Sequence, residues 1–574
     1  MNDNLTGPQL VKNQRVLEPK IDREIPFVAN QTRYELKNGP VVLLILDGWG
    51  IGPKTAGNAI ELAKTPVMDA LWLKYPHTQL GASGEYVGLP KGVDGNSETG
   101  HMNIGAGRIV RQNLPRVSQA IEDGTFFVNE MLQKAFNQVK QTGGKLHFMG
   151  LVGPGLVHSS VKHLEALLKM AKEHQLTKVE VHAFTDGRDS QVTIGLSTLQ
   201  NLEVLMADLG VGRIASIMGR FYAMDRDRNW DRTQKAYEAL TEGKGILTDD
   251  WQRALQNSYD RQITDEFVEP IIIKREDGSL PTIDEGDVVV FFNFRVDRPR
   301  QLSWAFVLAD FEYRDLSGGS CGKPLTEDQL KGATVKTFIR NKRYQDLFFV
   351  TMTDYDSDMV VPVVFPREDI QVNLGRFLSE QGVRQLRLTE TEKEKMVTYY
   401  IDGKVETYLP GEHVLIFPSK KVSSYQEAPE MTAKEIADAL VEEIEHQSFD
   451  AAVVNICNGD MVGHTGNLEA GIKACEVVDL QVGKIVEAIN KTNGMLIITA
   501  DHGNIEEMID NETGEIDTAH STYPVPCIFV AKKLEHNPTQ LDQGILADLA
   551  PTMIDLLGLK KPEEMTGRVL IRIE

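Results

Sequence analysis

The chain has 574 residues, 41% of them hydrophobic and 25% charged, a globular balance that excludes a fibrous or disordered architecture. Its length implies two or three hydrophobic cores rather than one. A formal net charge of −22 excludes a nucleic-acid footprint, because a phosphate backbone would be repelled rather than neutralised.

Cys321, Cys457, Cys475 and Cys527 show no paired spacing, so no disulfide framework is expected. The N-terminus lacks the apolar core of a signal peptide, and no run of about 18 apolar residues occurs. The expectation is a cytoplasmic protein with no membrane or nucleic-acid partner.

Residues 1–39 are polar with scattered prolines and read as an extension ahead of the first core strand. From Val41 the run VVLLIL is short, continuous and apolar, the pattern of a strand covered on both faces in a parallel sheet. Similar runs follow at 147–152, 179–184, 213–218, 287–292, 348–353, 450–456, 495–500 and 525–530. Helical periodicity separates many of them, as at 161–173, 432–446 and 471–489. Strands alternating with helices predict an α/β fold.

Ligands of open α/β sheets bind beyond the carboxyl ends of strands, so the residues following each run carry the chemistry. Asp47 follows the first run. Asp186-Gly187-Arg188-Asp189, then Gly219-Arg220, then Asn293-Phe294-Arg295-Val296-Asp297-Arg298 follow later ones, and Asp460 with His464 and Asp501 with His502 come last. Arginines therefore cluster between about 150 and 300, while carboxylates and histidines stand near 47, 460 and 501. One domain inserted into another explains that order: a metal-type domain over 40–112 and 344–574, and an arginine-bearing domain over 113–343.

Asp460 and His464 are four residues apart, which puts both on one face of a helical turn. Asp501 and His502 stand between an apolar strand and Gly503, where the chain can turn sharply. With Asp47 and His520 these residues offer oxygen and nitrogen donors for two divalent ions of the manganese or zinc kind. Ser97 lies in the glycine-rich GVDGNSETGHMNIGAGR, a setting that by itself suits a turn or cap serine as well as a nucleophile. The alternating Asp and Arg of FYAMDRDRNWDR likewise suit a solvated lattice of ion pairs as well as a binding site.

The segments LILDGWG, GNSETGHMNIGAGR, HAFTDGRDS, GRFYAMDRDRNWDR, FFNFRVDRPRQL, TETEK, GDMVGHTG, TADHGN and TAHSTYPVP occur in this order. Together they resemble the cofactor-independent phosphoglycerate mutases, from about residue 40 to the C-terminus. The resemblance implies an alkaline-phosphatase-like core with a second α/β domain inserted into it. It also implies interconversion of 3-phosphoglycerate and 2-phosphoglycerate, in glycolysis and gluconeogenesis, with no requirement for 2,3-bisphosphoglycerate.

By the same resemblance, one metal site comprises Asp460, His464 and His520, and another Asp47, Ser97, Asp501 and His502. Manganese is the usual metal and magnesium the alternative. Ser97 would be the nucleophile that becomes phosphoserine, activated by the second site. Lys393 would neutralise phosphoryl charge, and Asp189 would move protons on and off the glycerate hydroxyls. His158, Arg188, Asp189, Arg220, Arg226, Arg295, Arg298 and Lys393 would contact a small-molecule substrate, the guanidinium forks matching carboxylate and phosphate. A monomer is expected.

Two positions depart from the family pattern: Gly153-Pro154-Gly155-Leu156 stands where Ser-Asp-Gly-Gly is usual, and Met396 where a histidine commonly follows the lysine. The extension before residue 40 and the residues around 310–345 also lie outside it. A metal-dependent phosphohydrolase or another phosphomutase on the same core is the alternative function, and a non-catalytic binding protein a further one.

Overall fold

Every one of the nine apolar runs folds as a strand, and each is buried along nearly its whole length, as residues covered on both faces must be. The structure is a computed structural model that describes residues 17–28, 34–35, 39–317, 320–368 and 370–573. In chain order its strands are β1 (Ile21–Glu24), β2 (Val41–Leu46), β3 (His77–Gly81), β4 (Leu146–Leu151), β5 (Val179–Thr185), β6 (Arg213–Gly219), β7 (Ile246–Thr248), β8 (Ile271–Ile273) and β9 (Val288–Phe291). There follow β10 (Phe348–Thr353), β11 (Val363–Phe365), β12 (Gln385–Glu390), β13 (Glu412–Phe417), β14 (Ala451–Ile456), β15 (Met495–Thr499), β16 (Val525–Val530) and β17 (Gly544–Ile545). Among the described residues, no helix is long and apolar enough to cross a membrane.

The chain divides into two compact units, Gln112–Glu368 and the segments on either side of it. The outer unit holds a sheet in the order β1-β13-β12-β14-β2-β15-β16-β3-β17. Its centre, β13 to β15, is wholly parallel, and antiparallel pairings at β1, β16 and β3 finish the two flanks. The inner unit holds β11-β10-β9-β4-β5-β6-β8-β7, parallel except where β6 meets β8. Both units are α/β, as expected.

Three sequence expectations are corrected. The inner unit ends at Glu368 rather than at 343, because β10 pairs with β9 (Phe348 opposite Val288) and β11 with β10, so residues 344–368 complete the inner sheet. It begins at Gln112, one residue before the expected boundary. The segment 1–39 is not wholly outside the core: β1 lies antiparallel to β13, with His413 Nε2 2.9 Å from Asp22 Oδ1. The rest of that extension, apart from residues 17–20, 25–28, 34–35 and 39, lies outside the described residues.

The 310–345 segment packs onto the inner unit around a buried ion pair. Arg340 meets Glu312 through two parallel contacts, Nε to Oε1 at 2.8 Å and Nη2 to Oε2 at 2.9 Å, with Phe311 beneath the guanidinium at 5.1 Å. Removing one partner leaves an uncompensated buried charge. Glu312→Ala should therefore cost about 3–5 kcal/mol, read as a lower urea midpoint, and an unchanged midpoint would show that the pair contributes nothing.

A second buried polar feature crosses four adjacent strands of the inner sheet. Asp287 Oδ2 lies 3.0 Å from His147 Nε2, His147 Nδ1 2.9 Å from His182 Nε2, and His182 Nδ1 2.8 Å from Ser216 Oγ. Burial holds His147 and His182 below the ordinary histidine range, and it pushes His163, against Ser118, down to about 4. Histidines with a depressed folded pKa stabilise the fold fully above their unfolded pKa of about 6.5, and that contribution is lost as pH falls below it. Amide exchange of β4 to β6 in metal-free protein should accelerate between pH 7 and pH 5 beyond the intrinsic pH dependence; protection that holds level would contradict this.

Candidate active site

In the outer unit the four adjacent parallel strands β12, β14, β2 and β15 each end in a functional side chain. Strands lie about 4.8 Å apart, so residues just past four consecutive carboxyl ends converge. Asp47 follows β2, Lys393 follows β12 in a short 3₁₀ turn, Asp460 sits in the helix Asn458–Gly463 after β14, and Asp501 and His502 follow β15. Gly48 makes the closest approach possible: its φ is +77°, and a Cβ there would lie 2.5 Å from the Asp460 nitrogen, which instead donates to the Asp47 carbonyl at 2.9 Å.

Ser97 is the first residue of the helix Ser97–Ala106, whose cap is Asn96, with its side chain accepting from Thr99 N. The serine hydroxyl is thus free of capping duty and sits at the positive end of a helix, where anions are favoured. Its Oγ lies 2.6 Å from Lys393 Nζ, 3.0 Å from His502 Nε2 and 3.4 Å from Asp47 Oδ1. Lys393 also reaches Asp47 Oδ1 at 3.0 Å and Asp460 Oδ2 at 2.7 Å. Burial alone would strip its proton, but Asp47, Asp460 and Asp501 outweigh burial and raise it above the ordinary lysine range. Lys393 is a fixed ammonium.

His464 and His520 turn their Nδ1 atoms to backbone carbonyls, of Thr518 at 2.7 Å and Gly95 at 2.8 Å. A carbonyl only accepts, so the protons sit on Nδ1 and the Nε2 lone pairs face inward. Those two Nε2 atoms are 3.1 Å apart and lie 3.2 and 3.1 Å from Asp460 Oδ1. His502 Nδ1 likewise faces the Gly503 carbonyl, leaving Nε2 3.4 Å from Asp47 Oδ1 and 3.5 Å from Asp501 Oδ2. Lone pairs and carboxylate oxygens crowded this way repel one another unless a cation lies among them. Burial opposes a charge on His502, yet Asp501, Asp47 and Asp460 lift it to about 10, which measures the negative field. The donor set fits divalent metal ions.

The inner unit presents a second cluster, at the carboxyl ends of β9, β4, β5 and β6. Arg220 is buried, and Nη1 meets Asp186 Oδ1 at 2.6 Å and Asp189 Oδ2 at 2.5 Å while Nη2 donates to His158 Nε2 at 2.8 Å, leaving Nε without a partner among the described residues. That bond fixes the His158 proton on Nδ1, a buried atom with no hydrogen-bond partner among the described residues. Burial, reinforced by Arg220, pushes His158 down to about 4. Arg220 holds the Asp189 carboxyl below its usual range although burial acts the other way.

Arg188, Arg226 and Arg295 are about half exposed and make single ion pairs, to Glu266 at 3.4 Å and, for the latter two, to Asp297 at 2.9 and 3.2 Å. Burial and then the charges of Arg220, Arg226 and Arg188 lower Arg298, so these guanidiniums share one neighbourhood. The sequence-predicted set therefore falls into two groups, and Arg220 is the most deeply buried of its arginines. The altered loop presents Leu156 to solvent, and Met396, three residues after Lys393, opens a π-helical turn, Met396–Tyr400.

Sequence reasoning missed His101, Asn455, Asn504 and Glu506. His101 stands four residues after Ser97, the same spacing that singled out His464 after Asp460. Asn504 Nδ2 donates to Asp460 Oδ1 at 3.2 Å. The buried Glu506 accepts from Gly50 N and Asn504 N at 3.0 and 2.9 Å and from the Ser521 hydroxyl, tying together the segments that carry Asp47, His502 and His520.

The chain matches the metalloenzyme superfamily over residues 39–561. It is 46% identical to a 2,3-bisphosphoglycerate-independent phosphoglycerate mutase of Moorella thermoacetica over 93% of this chain and 98% of that one. It is 45% identical to an enzyme of the same name, numbered 1, from Methanosarcina acetivorans, with the same coverage. Among solved structures, that of Leishmania mexicana phosphoglycerate mutase at low cobalt concentration is similar with a TM-score of 0.58 and 28% identity, over 96% of this chain and 100% of that one.

Proposed function

The chain belongs to the 2,3-bisphosphoglycerate-independent phosphoglycerate mutases of the metalloenzyme superfamily, and on that premise we propose that it interconverts 3-phosphoglycerate and 2-phosphoglycerate through a phosphoserine at Ser97. The observation that carries the proposal is Ser97 Oγ at a helix N-terminus, 2.6 Å from a buried ammonium and 3.0 Å from His502 Nε2.

Asp460, His464 and His520 would hold one divalent ion and Asp47, Ser97, Asp501 and His502 another, manganese first and magnesium second since nitrogen donors disfavour magnesium; bound there, such ions supply Lewis-acid charge for phosphoryl oxygens and ease loss of the serine proton. In the first half-reaction Ser97 Oγ bonds to phosphorus, the bond from phosphorus to the glycerate oxygen breaks, and that oxygen takes a proton. In the second, the other glycerate hydroxyl loses a proton and attacks phosphoserine, releasing Ser97 Oγ. Lys393 offsets phosphoryl charge throughout.

Glycerate must be retained between the halves, or water would take the phosphoryl group. Arg188, Arg226, Arg295 and Arg298 suit its carboxylate and the phosphate. His158, with Nδ1–H directed away from its bond to Arg220, suits a glycerate oxygen as donor, and Asp189, kept ionised, suits proton transfer with the hydroxyls. The proposed setting is glycolysis and gluconeogenesis in the cytoplasm, with the enzyme a monomer. Purified protein with manganese should convert 3-phosphoglycerate to 2-phosphoglycerate without added 2,3-bisphosphoglycerate. Release of inorganic phosphate instead would make it a phosphohydrolase, and no turnover of either kind would sink the proposal.

A further inference from the structure

Asp47, His101 and Asp501 form a second buried group of potential ligands in the outer unit, each with an atom close enough to the others to share an ion. The hydrogen bonds of His101 decide whether it is a ligand. Its Nδ1 lies 2.9 Å from the Ser97 backbone oxygen, which can only accept, so Nδ1 carries a proton. The same Nδ1 lies 3.2 Å from Asp501 Oδ2, an electrostatic contact rather than a second hydrogen bond. On the other side of the ring, Nε2 is 3.1 Å from Asn455 Nδ2, and that same amide nitrogen is 2.7 Å from Asp47 Oδ2.

The carboxylate fixes the orientation of the amide. Turned the other way, Asn455 would set its oxygen against Asp47 Oδ2, two acceptors at hydrogen-bond distance. With the NH₂ group toward Asp47, its second hydrogen points at His101, and Nε2 must offer a lone pair there. Both ring nitrogens are therefore spoken for, one as a donor and one as an acceptor, and neither is open to a metal ion.

We propose that His101 and Asn455 are positioning residues that bind no metal themselves but lock Asp47, Ser97 and Asp501 into one geometry. Asn455 holds the Asp47 oxygen that faces away from Lys393. His101 bonds the backbone of Ser97 and sets the polar N–H edge of its ring against the Asp501 carboxylate, and the contact between Asn455 and His101 joins the two halves. The helix Ser97–Ala106 supports this from within: His101 is one turn from Ser97, so a single ring reaches the carbonyl of the serine, the carboxylate after β15 and the amide within β14. Such outer partners hold ligands against rotation and typically govern metal affinity. The inference rests on the metal-centre part of the function proposed above.

The test uses two substitutions that each keep one half of the ring. Asn places an amide near the position of Nδ1, so His101→Asn retains the donor to Ser97 beside Asp501; Gln reaches toward the position of Nε2, so His101→Gln loses that donor. Manganese binding to full-length protein, followed by the free Mn²⁺ signal in electron paramagnetic resonance, should be weaker in His101→Gln by about 10–100-fold. In His101→Asn it should stay within about fivefold of the parent, the worth of one neutral hydrogen bond, with the same number of ions bound.

Equal losses in both variants, an unaltered affinity in His101→Gln, or loss of one whole ion in His101→Asn would each overturn the inference, the last by making His101 a ligand. A parent protein that takes up no manganese would overturn the metal-centre reading itself. If His101→Gln fails to fold, Asn455→Ala replaces it: an affinity loss of about 10-fold or more upholds the inference and parental affinity overturns it.

Discussion

Ser97→Ala is expected to lose phosphoglycerate mutase activity by a factor of about 10⁴ or more while the protein stays folded. The serine hydroxyl meets Lys393, His502 and Asp47 and does not cap its helix, a task that falls to Asn96. Alanine is at least as good a helix former as serine, so the helix Ser97–Ala106 should persist. The loss should appear in kcat, since in the proposed reaction the hydroxyl forms a bond rather than a binding contact. An enzyme-coupled assay of 2-phosphoglycerate formation, paired with a thermal melt, checks both halves. Activity above about one per cent in a clean preparation would rule out serine as the nucleophile.

Chelation should be as damaging, and its effect should depend on pH with a definite sign. In the metal-free protein the carboxylates lift His502 to about 10 and raise His464 as well, so protons occupy positions that a metal ion needs. Each displaced proton lowers apparent metal affinity by about tenfold per pH unit of acidification. At limiting manganese, activity should therefore be weak near pH 6 and recover as pH rises, and excess manganese at pH 6 should restore much of it. EDTA should abolish activity and added manganese should return it. A profile that is flat from pH 6 to pH 8 at limiting metal, or full activity in EDTA, would contradict a metal centre built from these imidazoles.

The apolar runs and the polar residues after them made the strands and the two side-chain clusters legible, because a strand buried on both faces has little room for polar residues until it ends. β12 and β13 escaped for the opposite reason. Arg387 is fully buried in β12, held by Asp402, Glu412 and Gln385, so the segment reads as half exposed although no part of it is. β1 is short and charged, with no apolar signature, and is specified by its backbone pairing to β13. The end of the inner unit was placed too early because 310–345 reads as polar insertion, whereas Arg340 and Glu312 anchor it and the chain still owes that sheet β10 and β11.

Within the candidate site, residues with a recognisable donor at a strand end were visible, and those reached only through another side chain were not. Asn455 lies inside β14, where sequence shows only a polar interruption of an apolar run. Glu506 looks like one of two adjacent surface glutamates, yet it is buried and its neighbour Glu507 is not. Nor does sequence show that Arg220 bonds Asp186, Asp189 and His158, three residues that the fold brings to it. Such distinctions depend on which partners the fold supplies.

In the proposed reaction the phosphoryl group rests on Ser97 between donor and acceptor. Manganese-loaded enzyme mixed with 3-phosphoglycerate, quenched in acid within the first turnover, digested and analysed by mass spectrometry, tests it most directly. Phosphate on the peptide containing Ser97, absent from the Ser97→Ala protein, is the predicted result. Turnover with that peptide unmodified, or with phosphate on another residue, would contradict it.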